Sequence, residues 1–251
     1  MMRWWRSSDL VQAAVLITLS VAVYTTQLTI FGDPRNTEFY LLQDFAFLPI
    51  SVLVVTLVLE RLLELRDYRQ RLEKLRMLIG TFFSWTGYHL LNRLALMDRN
   101  LAEYAPALLA RPDWTDAEFS RLRATLVDRR FELRVTSADL TTLRPFLNER
   151  AEFMIRLLEN PMVLEHESFT ELLRAVFHLI EELEFRPGFD ELPPSDLAHL
   201  TNDCDRIYRL LVIEWIDHLC YLRKHYPYLY SLAIRVNPFN PGATPVVGPA
   251  G

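Results

Sequence analysis

A group of ionisable side chains lies in two predicted helices that are otherwise rich in apolar residues. They are Glu214, Asp217 and His218 on the later helix, and His178 with Glu182, or with Glu181, on the earlier one. Residues four apart share a helix face, so Glu214 pairs with His218. Facing carboxylate–histidine pairs on neighbouring helices bind metal in di-iron bundles. We therefore expect a cluster of these residues that either binds a metal or forms buried ion pairs and hydrogen bonds.

A second polar pattern lies in an uncharged stretch near the N-terminus. Ser20, Tyr24 and Gln27 form one stripe at helical spacing, and Asp44 follows the next turn of the chain. Polar groups in a membrane usually face protein or water rather than lipid. One interpretation is that several chains assemble with this helix inward, around a pore that has Asp44 near its outer mouth. The other is hydrogen bonding within the hairpin or a dimer, which membrane helices tolerate easily.

The sequence lacks motifs that are characteristic of common enzymes and of nucleic-acid-binding proteins. None of its seven glycines forms a phosphate-binding loop, and G-x-S-x-G, H-E-x-x-H and C-x-x-C are absent. The net charge of −5 argues against nucleic-acid binding, which requires a clustered basic surface. Cys204 and Cys220 are sixteen residues apart in one predicted helix, too far for a disulfide. We expect a non-enzymatic protein without a cofactor, in a reducing compartment.

Two apolar stretches predict a transmembrane hairpin over residues 1–63. Leu10–Phe31 is 22 residues without a charge, which as a helix spans about 33 Å. A second stretch centred on Phe45–Leu59 predicts a helix over about residues 41–63, after a linker too short for anything but an antiparallel turn. The first stretch exceeds the length of a signal-peptide core and lacks a convincing cleavage site.

The basic residues near these helices predict the orientation of the hairpin. Arg3 and Arg6 precede the first helix, six Lys or Arg residues follow the second within residues 61–76, and the loop has only Arg35. Cytoplasmic flanks carry the excess of Lys and Arg. Both termini are therefore expected in the cytoplasm, in a multi-pass protein of the inner (plasma) membrane.

The rest of the chain predicts an all-α fold, with a cytoplasmic helical domain over residues 64–236 that continues the second membrane helix. Helix starts are expected at Thr115, at Thr136 or Ser137, at Ser168 and at Ser195. The almost wholly apolar segment Leu210–Leu222 predicts a buried helix. Residues 237–251 are rich in Pro and Gly and predict a disordered tail.

Apolar residues after the second membrane helix follow heptad spacing. One register holds Val58, Leu65, Leu72 and Ile79, and the other Tyr68, Leu75 and Phe82. Such a seam is typical of a coiled coil between chains. Arginines at flanking positions would place like charges along a parallel pair, and the alternative is that the seam packs on later helices of the same chain.

Two segments resemble an uncharacterised prokaryotic family of two-helix membrane proteins with a helical cytoplasmic domain. They are LEKLRMLIGTFFSWTG, Leu72–Gly87, and HYPYLYSLAIRVNPF, His225–Phe239. The family has no assigned activity, so the resemblance implies the layout and supplies no site residues.

Three functional hypotheses follow. The first is a membrane-anchored, self-associating helical module that binds or senses a partner at the inner membrane face. The second is an oligomeric ion-channel subunit with the first membrane helix lining the pore. The third is a metal-dependent helical-bundle enzyme. The expected partners are the lipid bilayer and further copies of the chain, with the protein partner or ligand left open.

Overall fold

The computed structural model describes residues 7–246 and consists of α-helices. In chain order the helices are α1 Ser7–Phe31, α2 Pro34–Phe82, α3 Tyr88–Ala95, α4 Leu101–Leu108, α5 Asp116–Val127, α6 Ser137–Leu158, α7 Pro161–Leu164, α8 Glu167–Glu184, α9 Pro194–His225 and α10 Pro227–Arg235. Over the described residues, strand-like pairing amounts to one isolated bridge between Asp98 and Leu133. The all-α prediction is confirmed.

Residues 7–68 form one compact unit, made by α1 and the first part of α2. Gly32 joins the two helices with φ +60°, a left-handed conformation that glycine adopts without strain. α2 begins at Pro34, earlier than expected, because proline suits the first position of a helix. Both helices are long and apolar enough to cross a membrane, by length and composition. Arg3 and Arg6 lie outside the described residues.

The second unit begins at Arg69 and contains the remaining helices. The heptad seam changes its surroundings along α2: Val58 and Leu65 are exposed, whereas Ile79 and Phe82 are completely buried. Phe82 packs edge-on against Phe169 of α8, with ring centroids 5.3 Å apart. The C-terminal part of the seam therefore packs on later helices of the same chain.

A π-helical turn, Phe83–Gly87, links α2 to α3. A Cβ at Gly87 would lie 2.6 Å from the ring of Phe82 and 2.7 Å from the ring of Phe83. The absent side chain therefore lets the two rings fold against the backbone. Phe83 is buried in consequence and reaches Trp215 and His218 of α9.

Two predicted helix starts are capped as expected and one is not. Thr115 and Thr136 form complete capping boxes with Glu118 and Asp139. Before α8 the cap is His166, whose Nδ1 accepts a hydrogen bond from the backbone N–H of Phe169. The prediction of Ser168 was wrong because its hydroxyl instead donates to a side chain of α9.

The centre of the second unit is α9. Its segment Leu210–Leu222 is almost entirely buried, and Trp215 is only 3% exposed, so the predicted core helix is confirmed. α8, α5, α10 and α3 all contact α9. Side chains on α9 therefore meet groups from most of the domain.

The predicted disordered tail is wrong at its beginning. Asn237 and Phe239 are buried, and the Asn237 side-chain amide donates to the backbone oxygen of Leu108 at 2.9 Å. The Asn92 side chain donates in turn to the oxygen of Pro238 at 3.3 Å. The Pro- and Gly-rich composition indicated little apolar surface to bury. The ring of Phe239 and the side-chain amide of Asn237 are nonetheless enough to pack this segment against the domain. Residues 247–251 lie outside the described part of the chain.

Candidate functional site

The predicted polar cluster is divided between two places on α8 and α9. Ser168 near the start of α8 donates to Glu214 of α9, whereas His178 further along α8 lies beside Asp203 of α9. Later residues of α8 thus meet earlier residues of α9, as in an antiparallel helix pair. The expectation that His178 and Glu182 face Glu214 and His218 was wrong for this reason.

The first place holds four ligand-type side chains, which we call the α8–α9 cluster: His178, Glu182, His199 and Asp203. The Nε2 atom of His178 lies 3.8 Å from Glu182 Oε1 and 3.7 Å from Asp203 Oδ2. The Nε2 atom of His199 lies 3.7 Å from Glu182 Oε2 and 3.5 Å from Asp203 Oδ2. Ligand atoms of His178, Glu182 and His199 all lie within 4.8 Å of one another. Imidazoles and carboxylates of this kind are ligands for divalent metals.

Two arginines that are not part of the α8–α9 cluster donate hydrogen bonds to its two carboxylates. Arg186 donates to Glu182 Oε2 at 2.7 Å and makes two further bonds to Asp196. The hydrogen bond from Arg186 lowers the pKa of Glu182, and Arg186 likewise lowers the pKa of Asp196. Arg206 donates to Asp203 Oδ1 at 3.0 Å. Glu182 can therefore face the imidazoles as an anion, and the bond from Arg206 fixes the orientation of Asp203.

The second place surrounds Glu214, which is buried. Its Oε1 accepts a hydrogen bond from Ser168 at 2.5 Å, and burial raises the pKa of the carboxyl group. The hydrogen bond from Ser168 opposes that rise. Glu214 therefore belongs to the packing of α8 on α9, and its partner is a hydroxyl rather than His218.

His218 lies one turn further along α9 in an aromatic environment. Its ring stacks on Phe83 at 5.0 Å and 14°. Burial, with a smaller effect of Arg76, lowers the pKa of His218 to about 4, so the ring is neutral at pH 7. Asp217 is bound by Arg123 instead, whose Nε–H is shared between the two carboxylate oxygens at 3.0 and 3.1 Å. Glu214, Asp217 and His218 therefore do not form one site.

Next to His218 an apolar groove opens between the end of α2, the π-helical turn, α9 and α10. Its volume is about 760 Å³, within the range of ligand pockets. Six aromatic side chains line it: Phe83, Trp85, Tyr88, Trp215, Tyr221 and Tyr226. Arg76 is the one Arg or Lys in its lining, and over the described residues no Asp or Glu lines it. The sequence patterns did not indicate this groove, because its residues come from three separate segments.

The predicted polar stripe of α1 finds some of its partners within the chain. Tyr24 donates from its hydroxyl to Asp44 of α2 at 2.8 Å, which joins two members of the predicted set. Neighbouring threonines such as Thr18 and Thr25 donate to backbone oxygens of their own helix. These hydrogen bonds need no second chain, so assembly through Ser20 and Gln27 stays a prediction.

The sequence reasoning missed His199 and Asp203, although a signal was present. They are four residues apart on α9, as His178 and Glu182 are on α8. The loop between α8 and α9 is short and centred near residue 189. Folding the two helices back about that loop brings residue 178 opposite residues near 200. This argument from the sequence would have predicted that His199 and Asp203 lie beside His178.

Comparison with known proteins places both parts of the chain. Residues 71–235 match the family model described as "Uncharacterized protein MJ1433, C-terminal helical domain", and residues 6–63 match "MJ1433, N-terminal helical domain". The uncharacterized protein MJ1433 of Methanocaldococcus jannaschii is 42% identical over 231 residues, which cover 92% of this chain and 93% of that protein. No solved structure matches the chain. The chain therefore belongs to the MJ1433 family of helical proteins.

Proposed function

We propose that the protein is a membrane-anchored helical module that binds an apolar ligand with an anionic group. The α1–α2 hairpin anchors it in the bilayer, and the groove beside His218 binds the ligand. The observation that carries the binding function is the groove itself, a space of about 760 Å³ lined by aromatic rings and a single arginine.

The exposure of the hairpin supports the anchor. An apolar helix of a soluble protein is normally buried in the core, whereas no residue in the most apolar window of either hairpin helix is buried. Large exposed apolar surfaces mark membrane or partner contacts. The basic residues that follow the second apolar stretch support an orientation with the helical domain in the cytoplasm.

The chemistry of the groove supports the ligand class. Aromatic and aliphatic walls favour an apolar body, since burial gains about 25 cal/mol per Å². His218 is neutral because its pKa is lowered to about 4, so it brings no charge at pH 7. Burial also lowers the pKa of His89, the other imidazole of the lining. Arg76 therefore sets the sign of the local charge, and an anionic group is its complement.

The proposal is tested with anilinonaphthalene sulfonate, an anionic aromatic probe, on the full chain in nanodiscs with empty nanodiscs as the blank. Energy transfer from tryptophan to the probe should saturate, because Trp85 and Trp215 both line the groove. Ser84→Phe fills the exposed wall of the groove and should abolish saturation. Ser231→Phe is its control, since Ser231 is exposed on α10 outside the lining.

Arg76→Gln tests the charge. It should weaken probe binding about 2- to 5-fold, the range of a partly exposed ion pair. Arg69→Gln is the control, since Arg69 lies outside the lining. Equal binding by the wild type and Ser84→Phe would refute the groove as the binding site. Equal binding by the wild type and Arg76→Gln would refute the preference for an anion.

A further inference from the structure

A buried carboxylate oxygen of the α8–α9 cluster is left without a hydrogen bond. Asp203 has a side chain only 8% exposed, and its Oδ2 has no hydrogen-bond partner within residues 7–246. An unpaired buried carboxylate oxygen is costly. This atom faces the Nε2 atoms of both His178 and His199. The orphaned oxygen thus points to something bound between it and the two imidazoles.

The nitrogen–oxygen distances within the α8–α9 cluster are close to those around a tetrahedral metal. Zinc bonds of about 2.0–2.2 Å in a tetrahedron place neighbouring ligand atoms about 3.3–3.6 Å apart. The four nitrogen–oxygen distances run from 3.5 to 3.8 Å, with His178 nearest to Oε1 of Glu182 and His199 nearest to its Oε2. Asp203 lies outside the set of ligand atoms that are all within 4.8 Å of one another, so metal binding requires the two imidazoles and the Glu182 carboxylate to move toward it. The distances are too long for strong hydrogen bonds between the same atoms.

The donor set selects the kind of cation. Two imidazoles favour zinc and similar first-row metals, whereas magnesium and calcium prefer oxygen ligands alone. The two carboxylates carry two negative charges, which a divalent cation neutralises. Arg186 and Arg206 bond Glu182 and Asp203 and fix their orientation, as the outer partners of metal ligands do.

We propose that His178, Glu182, His199 and Asp203 bind one Zn²⁺ ion between α8 and α9. The site is separate from the groove, so it stands or falls independently of the proposed ligand. His178 and His199 are about half exposed. Zinc can therefore enter from solvent past the two imidazoles, and Asp203 is the ligand on the buried side of the site.

Equilibrium dialysis of the full chain in nanodiscs, cleared with a chelator and then exposed to Zn²⁺, tests the site. The wild type should bind one Zn²⁺ per chain. His199→Ala, a change at an exposed side chain, and Asp203→Asn should each weaken binding more than about 10-fold, the smallest loss usual for even an outer partner of a metal ligand. Glu181→Gln should bind as the wild type does, because Glu181 is exposed beside Glu182 and outside the cluster.

Cobalt gives a second measurement that reports geometry. Co²⁺ in the wild type should show the intense visible absorption of a four-coordinate ion, and His199→Ala should lose it. Circular dichroism of each variant separates loss of metal from loss of fold. The proposal is refuted if folded wild-type protein binds no zinc, or if folded His199→Ala binds it as tightly as the wild type.

Discussion

The two ends of α2 carry the same kinds of apolar side chain in opposite surroundings. Val58 and Leu62 are 54% and 57% exposed, whereas Ile79 and Phe82 are 0% exposed. Near its C-terminus the helix is covered by α8 and α9 through contacts such as that between Phe82 and Phe169. A heptad pattern therefore predicts that a helix has an apolar face, but it does not predict whether protein or lipid covers that face. The exposed part requires a cover from outside the chain, which we propose is lipid.

The largest expected effect is at the buried end. Phe82→Ala should lower the free energy of unfolding by about 3–5 kcal/mol, because it opens a cavity among packed rings. Leu62→Ala should change it by less than about 0.5 kcal/mol, as exposed substitutions do. Denaturation of the full chain in detergent, followed by circular dichroism, measures both. Equal losses would remove the distinction between the two ends.

The exposed end is tested by placing a charge in the hairpin. Val21→Arg, near the middle of the first span, should oppose membrane insertion by about 2.5–3.5 kcal/mol. The carbonate-resistant membrane fraction of expressing cells should fall accordingly. Tyr68→Arg, beyond the apolar stretch, is the control and should remain in the membrane. If Val21→Arg is retained as well as Tyr68→Arg, the hairpin does not lie in lipid.

The pH dependence of the buried region is a third test. Burial lowers the pKa of His218 to about 4 from 6.5, so the unfolded chain binds this proton more readily. The resulting stability is complete above pH 6.5 and is lost as the pH falls toward 4, by up to about 3 kcal/mol. His218→Leu should flatten unfolding free energy against pH over that window. His225→Leu, at an exposed position, should keep the wild-type slope.

Glu214 acts in the opposite direction and must be separated from His218. Burial raises its pKa, so its contribution is present below pH 4.5 and is lost as the pH rises through the raised value. The contribution of Glu214 is present in both the wild type and His218→Leu. The difference between their unfolding free energies, followed against pH, therefore reports His218 alone. An identical pH slope in these two proteins would contradict a buried neutral imidazole.

The smallest expected effects concern self-association through the hairpin. A hydrogen bond between membrane helices contributes about 0.6 kcal/mol on average. Gln27→Leu alone should weaken an oligomer slightly, whereas Ser20→Leu, Tyr24→Leu and Gln27→Leu together should dissociate it. Thr26→Leu is the control, because Thr26 donates to its own helix at Ala22. Native mass spectrometry from nanodiscs reports the stoichiometry, and a monomeric wild type would refute the prediction.

Local signals in the sequence predicted much of the fold. The capping boxes at Thr115 and Thr136 depend on neighbours three residues away, and the burial of Trp215 follows from an apolar helix. His166 replaced Ser168 as a cap because a distant residue, Glu214, takes the serine hydroxyl. Prediction failed where a partner from another element decides the outcome.

The candidate sites were harder to predict for the same physical reason. Pairs within one helix, such as His178 with Glu182, are visible as spacing, whereas the register of α8 on α9 determines which pairs meet. The groove combines residues near 80, 220 and 230 and leaves no local pattern. Antiparallel folding about the short loop was nonetheless sufficient information to bring His199 and Asp203 to His178.

The burial of Asn237 and Phe239 has a consequence for how the chain folds during synthesis. The bond from Asn237 to Leu108 closes a separation of 129 residues, and that from Asn92 to Pro238 one of 146. Contacts so distant in sequence slow folding. Asn237 and Phe239 leave the ribosome long after α3 and α4, so the region around those two helices lacks these contacts until residues 237–239 emerge. The hydrogen bonds of residues 237–239 to α3 and to the end of α4 are therefore among the last native contacts of the domain that can form.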